Sequence, residues 1–594
     1  MSSHQTCTKD RLLAHAEDLL AHPRLFLARN DFERVQENID ADRLLGEYAD
    51  RLSAETELLL ETEPMERRQI GRRLLGVSRT CLGRVLRLSY AYRLTGRPEF
   101  ADRAEQEMLS AAAFADWNPS HFLDVAEMTA ALAIGYDWLH ECLARSSRDT
   151  IRRAIVDKGL EPSLEADGWA RATHNWNPVC NGSLTIGALA VLEEETELAA
   201  HIIQRALETV PLAMEAYGPN GAYPEGPGYW RYGTVFNVLM IDALESALGT
   251  DYGLSDHVPF MASANYYLHA HGATGQYFNY SDCGRKSGLA PAMFWFARRL
   301  DRPELLWMER RKLENLLNRS PKEGEGGIKT GGRLMPMALA WSPPLEDVYE
   351  PQEKHYHDTG RNPVAMHRTG WLADDTYVGL KASSPAENHG HMDVGTFVLE
   401  TGGVRWAIEL GAESYHALES AGINLWDGSQ EGDRWDIFRY GNHGHNTLVI
   451  NGEKQRVDGR APIAEFDPEN RRSVIDMTPV YAGRCASVRR SVELDDGGTV
   501  SVEDRLQAPD RDVSVRWAFL TRAEVKLDGS VATLLQQGKH IAATVVSPEE
   551  LDWQVLPTNP STRHESQNEG TRMLAFHVHI PAGEERQLRV EFQG

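Results

Sequence analysis

The chemistry of this chain is organised around Glu387-Asn388-His389-Gly390-His391-Met392-Asp393. Read as extended backbone, residues two apart share a face, so His389, His391 and Asp393 point the same way. Downstream, Val404, Trp406 and Ile408 alternate with Arg405, Ala407 and Glu409, and Gly402-Gly403 supplies the positive φ angles of a two-residue hairpin. That hairpin carries Glu409 back beside His391. A third candidate ligand lies in Asn442-His443-Gly444-His445-Asn446-Thr447, just before the apolar Leu448-Val449-Ile450. Two imidazoles and one carboxylate suit a zinc-like ion. Histidines that only hydrogen-bond loops between strands would have the same spacing.

Two other stretches are rich in reactive side chains. Thr173-His174-Asn175-Trp176-Asn177-Pro178-Val179-Cys180-Asn181-Gly182 precedes an apolar helix expected at Leu184, and Tyr223-Pro224-Glu225-Gly226-Pro227-Gly228-Tyr229-Trp230-Arg231-Tyr232 packs turn-formers with aromatics. The first is equally an N-capping loop and the second a tight aromatic turn. Both lie in a half that reads helix after helix. Cys81, Val85, Leu88 and Tyr92 recur at helical spacing and stop at Gly96, and Phe100, Ala104, Met108 and Ala111 begin the next helix. Similar stretches follow at 122–143, 149–160, 184–192, 198–210, 234–248 and 291–300. Without a repeated motif of fixed length, the pattern predicts helical hairpins closing into an incomplete (α/α) toroid.

The character changes between about 318 and 356, where 322–327 reads as an exposed loop and Pro343-Pro344 as a break. Turns at Gly402-Gly403, Asn451-Gly452, Asp496-Gly497-Gly498 and Asp528-Gly529 then separate short β-branched runs. The expected organisation is a helical domain over 1–345 and an antiparallel β-sandwich over 346–594.

Composition excludes several classes of function. The chain has 594 residues, 42% hydrophobic and 25% charged, as in an ordinary folded multidomain protein. A net charge of −25 argues against a general nucleic-acid or anionic-membrane binder, though not against a polyanion held in one basic cleft. Six dispersed cysteines without a CxxC pair indicate neither a disulfide framework nor a thiolate zinc site. The first twenty residues lack the apolar core of a signal peptide, so a cytoplasmic location is expected unless a leader has been removed. No membrane span is expected, and oligomeric state is not indicated.

Taken in order, HNWNPVCNG, YPEGPGYWRYG, FNYSDCG, ENHGHMD with WAIELG after it, and NHGHNTLVING resemble the heparinase II/III-like polysaccharide lyases. The resemblance spans about 170–452. It implies a toroid followed by a sandwich, and β-elimination on a uronate polysaccharide. Glycosaminoglycans (hyaluronan, chondroitin sulfate, heparan sulfate, heparin) are the favoured substrates, with alginate as the alternative. Removing the C5 proton, α to a carboxylate, makes an anion more anionic, so donors that neutralise that carboxylate stabilise the transition state. By position in the motifs this work goes to Asn175 and His389, with His174 as helper. Tyr229 takes the place of the family's catalytic tyrosine, with Tyr232, one turn on, as the fallback. His391, Glu409 and His445 take the metal positions, where the family more often has Asp at the place of Glu409. The implied ion is divalent, zinc before manganese or calcium, and structural.

Substrate contacts are less tightly specified. Trp176, Trp230 and Trp426 offer rings for sugars, although tryptophans are commoner in cores. Arg79 belongs to the basic run Arg67, Arg68, Arg72, Arg73, Arg79 and Arg84, which can attract sulfates or simply pair with acidic neighbours. Glu225 is expected to hold the tyrosine turn. A glycoside hydrolase would instead need two carboxyl groups, drawn from Glu225, Asp282 and Asp393. A binding protein that had lost catalysis would keep the fold without turnover.

Overall fold

A computed structural model describes residues 21–27, 31–165, 167–319 and 332–594. The N-terminal stretch read above for a leader and the loop 322–327 lie outside the described residues. The chain divides into a helical unit (Met1–Ala216, Trp230–Ala264 and Gly288–Tyr349) and a β unit (Tyr217–Tyr229, Asn265–Ser287 and Glu350–Gly594). The β unit thus takes in two segments from the helical half of the sequence. Among the described residues no helix is long and apolar enough to cross a membrane.

In the helical unit the expected periodicities become helices. Leu75–Thr95 buries Cys81, Val85 and Leu88 and stops at Gly96, whose φ of 68° only glycine adopts cheaply. Pro98 then opens Pro98–Ala113 from its first turn, where no N–H is needed. Leu123–Leu139 is buried on every side, its mostly apolar sequence carrying the buried carboxylates Asp124, Glu127 and Asp137, and it packs on both Leu75–Thr95 and Trp176–Ala190. Gly135 permits the first approach, since a β-carbon there would stand 2.6 Å from Val85 Cγ1. The helix expected at Leu184 begins earlier, at Trp176, because Pro178 is tolerated in a first turn. The stretch 149–160 is an α-helix, Arg145–Ala154, that continues as a π-helix over Ile155–Leu160. Consecutive helices pair as hairpins in the incomplete (α/α) toroid expected.

The β unit contains three antiparallel sheets. Five strands follow one another in chain order: His355–Asp358, Val364–Arg368, Tyr377–Lys381, Phe397–Thr401 and Val404–Ala407. An eight-stranded sheet has Ser487–Leu494, Val500–Gln507 and Glu585–Gln593 as consecutive inner strands, and a four-stranded sheet pairs Val513–Thr521 with Arg572–Ile580. Alternate residues of each enter one core, in which Phe397, Val492, Val502, Trp517 and Phe576 are all buried. Gly402 and Gly403, at φ 57° and 74°, make the expected two-residue turn.

Three buried polar anchors then fix the loops that matter for chemistry. Asp358 Oδ2 accepts from the backbone N–H groups of Asn220 (2.9 Å) and Ala222 (3.0 Å), and so holds the turn that leads to Tyr229. Glu400 accepts from Thr274 N at 2.7 Å and Oγ1 at 2.8 Å, anchoring Asn265–Ser287. Arg490, paired with Asp504, donates Nη1 to Gly395 O (2.7 Å) and Asn446 O (2.8 Å), which ties together the loops after Asp393 and His445.

Candidate active site

The site in the β unit is built on the carboxylate of Asp282, fully buried in the FNYSDCG segment. His389 Nδ1 lies 3.0 Å from its Oδ2 and His391 Nε2 lies 2.9 Å from its Oδ1. Arg434 Nη2 donates to Oδ2 at 3.1 Å and the Tyr415 hydroxyl donates to the same oxygen at 2.6 Å. Burial alone would raise the Asp282 carboxyl, but Arg434 and the bonds from both histidines overcome it and hold the group well below the usual carboxylate range. Burial, reinforced by the adjacent Asp282 charge, pushes the Tyr415 phenol well above its usual value.

The tyrosine turn brings Tyr229 onto this anchor. Its ring stacks on His389 at a centroid distance of 4.1 Å and an interplanar angle of 9°. Its hydroxyl lies 3.2 Å from that of Tyr415, so the contacts run from Tyr229 through Tyr415 to Asp282. Glu225 is buried; its Oε1 accepts from Tyr223, its Oε2 accepts from Asn388 Nδ2 at 2.8 Å, and it stands 3.4 Å from His389 Nε2. It braces the turn, as expected, and leaves His389 with a carboxylate at each nitrogen. Trp426, 45% exposed, meets the rings of His389 and Tyr415 edge-on at 5.6 and 5.4 Å.

The histidine segment differs from its expected form. Residues 387–396 are turns, and His389 has a φ of 58°. A tight turn follows, since a β-carbon at Gly390 would lie 2.5 Å from Pro385 O. His389 and His391 still converge, through Asp282, but Asp393 takes other hydrogen-bond partners. It forms a buried ion pair with Lys381 and accepts from Ser281 N at 3.2 Å.

The expected metal ligands are also arranged differently. A register shift after Leu399 sends Ile408 to bridge Leu520, so Glu409 meets Thr396, Asn446 N and His445 Nδ1 (2.6 Å) rather than His391. Each imidazole thus has one nitrogen on a carboxylate. The other nitrogens, His391 Nδ1 and His445 Nε2, are buried without a hydrogen-bond partner. Open nitrogens braced by carboxylates are what a zinc-like ion takes, whereas Glu409 braces a ligand and is not placed as one. Among the described residues no group of three or more His, Cys, Asp or Glu is placed to hold a metal ion. Burial, only partly offset by Asp282, lowers His391 to about 4, which keeps it neutral.

The remaining sequence candidates lie in the helical unit. Asn175 is buried at the start of Trp176–Ala190, beside His174. The Trp176 ring stands edge-on to His121 at 5.1 Å, and His121 Nδ1 is 2.7 Å from Asp124 Oδ1. Much of the amide chemistry of this stretch is structural, since Asn177 Nδ2 donates to Ala170 O and Thr209 O. Trp230 is wholly buried and packs against Phe296 at 6.1 Å, so it is a core residue and not a platform for sugar. Tyr232 donates to Glu127 Oε1 at 2.9 Å, and Arg79 Nε donates to the same oxygen at 3.0 Å. Of the other arginines in the basic run, Arg67 pairs with Asp116 and Arg84 with Glu107.

Sequence reading assigned no lyase role to Asp282, Tyr415, Arg434 or Lys381. Only Asp282 had a signal, its place within FNYSDCG; Tyr415 and Arg434 lie in segments with no distinctive spacing.

Residues 358–590 match the family described as Heparinase II/III-like, C-terminal. Among solved structures, a heparinase III aligns with a TM-score of 0.62 at 12% identity, over 90% of this chain and 79% of that one. A heparan sulfate lyase HepC mutant from Pedobacter heparinus aligns with a TM-score of 0.59 at 12% identity, over 96% and 93%. No curated protein matches the sequence. The segment 358–590 thus carries a Heparinase II/III-like C-terminal domain, and the fold of the chain is shared with these two structures. The resemblance seen in the motifs therefore holds over the C-terminal domain.

Proposed function

We propose that this polysaccharide lyase cleaves a uronate-containing chain by β-elimination, with glycosaminoglycans as its substrate class. The observation that carries this reading is the linked set Tyr229, Tyr415 and Asp282, with His389 stacked on Tyr229 and held by the same carboxylate. Asp282 fixes His389 through Nδ1, and in its charged form the imidazole neutralises the uronate carboxylate. Tyr229 takes the C5 proton while its own hydroxyl proton passes to the departing O4; the C5–H electron pair becomes the C4=C5 double bond as the C4–O bond breaks, and Tyr229 ends as the neutral phenol it began as. Asn175 and His174 keep the carboxylate-binding role given by the resemblance, with Trp426 as a sugar platform beside the reacting rings. The names heparinase and heparan sulfate lyase among the aligned structures favour glycosaminoglycans over alginate.

A zinc-like ion would be held by His391 Nδ1 and His445 Nε2, and its contribution would be structural. Elemental analysis of the purified protein and of His391→Ala tests this: the native protein carries the ion and the variant loses it together with several degrees of melting temperature. Absence of metal together with an unchanged melting temperature removes the ion.

A hydrolase needs a carboxyl group that can donate a proton. Asp282 and Asp393 are both held below the usual carboxylate range, Asp393 by Lys381 against the opposing effect of burial, and Glu225 is occupied by Tyr223 and Asn388. The deciding experiment follows ultraviolet absorbance during incubation with hyaluronan, chondroitin sulfate, heparan sulfate, heparin and alginate. A rise from the unsaturated uronate supports elimination and names the substrate. New reducing ends without absorbance mean hydrolysis.

A further inference from the structure

We propose that Arg79 and Arg333, which share the buried carboxylate of Glu127, form a subsite for an anionic group of the polysaccharide, a carboxylate or a sulfate; this rests on the lyase reading above. Arg333 Nη2 donates to Glu127 Oε1 at 2.9 Å, and its Nε also pairs with Glu127. Arg79 Nε reaches the same Oε1. Both guanidiniums lie over the Tyr232 ring, at 4.8 and 5.3 Å from its centroid. The group therefore contains two positive charges, one negative charge and a phenol that burial and Glu127 keep neutral. One positive charge is left over, in a chain whose net charge is −25.

A comparison within the same unit indicates that this surplus is for binding. Arg84 and Arg103 also share one carboxylate, Glu107, but each spends further N–H groups on a backbone carbonyl, Glu63 O and Thr62 O respectively. Arg79 and Arg333 have no polar partner beyond Glu127 and Tyr232 among the described residues. The Arg79 side chain is 40% exposed and that of Arg333 18%. Two guanidiniums whose planes are set by one carboxylate and one ring form a preorganised clamp for a second anion, at little further cost in side-chain entropy.

The test is equilibrium binding by calorimetry, which does not depend on turnover. The probes are a heparan sulfate tetrasaccharide and a hyaluronan tetrasaccharide, titrated into the full chain and into Arg79→Gln and Arg333→Gln. Each variant leaves Glu127 paired with the remaining arginine, so folding is preserved, and the melting temperature checks it. Each substitution is expected to weaken binding roughly tenfold, the scale of one charge-assisted hydrogen bond. Arg79→Lys, which keeps the charge but not the fork, should recover only part of the loss. Loss with both sugars identifies a carboxylate as the bound group, and loss only with heparan sulfate identifies a sulfate. Unchanged affinity in both glutamine variants overturns the subsite even if unsaturated product still forms. Arginine-dependent binding without unsaturated product overturns the lyase reading and leaves the subsite standing. A native protein that binds neither sugar overturns both.

Discussion

The helical and β units each bury a carboxylate under an arginine and a tyrosine hydroxyl, yet the two groups are built for different work. At Glu127 the phenol of Tyr232 donates directly to the carboxylate, and two guanidiniums lie over its ring. At Asp282 a second phenol, Tyr415, intervenes before Tyr229, and two imidazoles share the carboxylate with one arginine. Tyr229 and Tyr232 occupy the same helix, Pro227–Leu248, three residues apart. Residue type and spacing cannot separate them. What does separate them is what each hydroxyl touches: Tyr232 is bonded straight to a buried anion, whereas Tyr229 meets a second phenol and stacks on His389.

The largest effect expected from this difference lies in the pair Tyr229→Phe and Tyr232→Phe. The first should lower turnover at least about a hundredfold, the usual scale for a lost proton-transfer group, and the second should cost far less. Product absorbance under single-turnover conditions separates them. A reversed order would transfer the reaction to Tyr232 and undo the comparison. Tyr415→Phe comes next, with turnover about tenfold lower and KM little changed, because Tyr229 and His389 each lose a hydroxyl contact, at 3.2 and 3.0 Å, while His389 keeps its bond to Asp282. A native rate in that variant would mean that Tyr229 acts without the Tyr415 hydroxyl.

How much of this was legible in the sequence depends on the range of the interaction involved. Helices and hairpins are local, so Cys81, Val85 and Leu88 predicted Leu75–Thr95, and Gly402-Gly403 predicted its turn. The motifs single out His389 and Tyr229, and the structure stacks their rings on one another. What failed was anything decided by partners distant in sequence. Alternation placed Asp393 beside the histidines, but a buried lysine on a neighbouring strand captures it. The same alternation aimed Glu409 at His391, and a register shift, invisible to composition, turned it to His445. Trp230 resembled a sugar platform because an indole in an aromatic turn does not reveal which side of its helix is core. Tyr415 and Arg434 were missed because their roles exist only once Asp282 is in place.

Two buried carboxyls, one in each unit, are shifted in opposite directions. Asp242 in the helical unit is raised by burial to about 6, despite the hydrogen bond from Trp341 Nε1. Its folded pKa lies above the unfolded value of about 3.9, so the stability it contributes is full below that value and is lost as pH rises through 6. Asp282 is shifted the other way, so its contribution is full above about 3.9 and is lost only as pH falls through its lower folded value. Acidification from pH 7 to 5 should therefore raise the Asp242 contribution by on the order of 1 kcal/mol and leave the Asp282 contribution intact. Unfolding free energies of the native protein and of Asp242→Asn at the two pH values measure this. An equal change in the two proteins would contradict the shift at Asp242.

The smallest effect concerns Trp426, which sharpens the contrast by asking whether the β unit's cluster meets substrate at all. Its ring is 45% exposed and edge-on to His389 and Tyr415, whereas Trp230 is buried against Phe296. On the proposed reading, a solvent-facing indole beside His389 and Tyr415 would meet a sugar face by a contact that is equal in ground and transition states. Trp426→Ala should therefore raise KM about threefold and leave kcat nearly unchanged, the low end for an aromatic contact. Trp230→Ala should instead lower the melting temperature, as loss of a buried indole does. A fall in kcat with unchanged KM for Trp426→Ala would mean that the indole holds His389 and Tyr415 in place without touching sugar, and the exposed side of the Asp282 cluster would no longer be the substrate side.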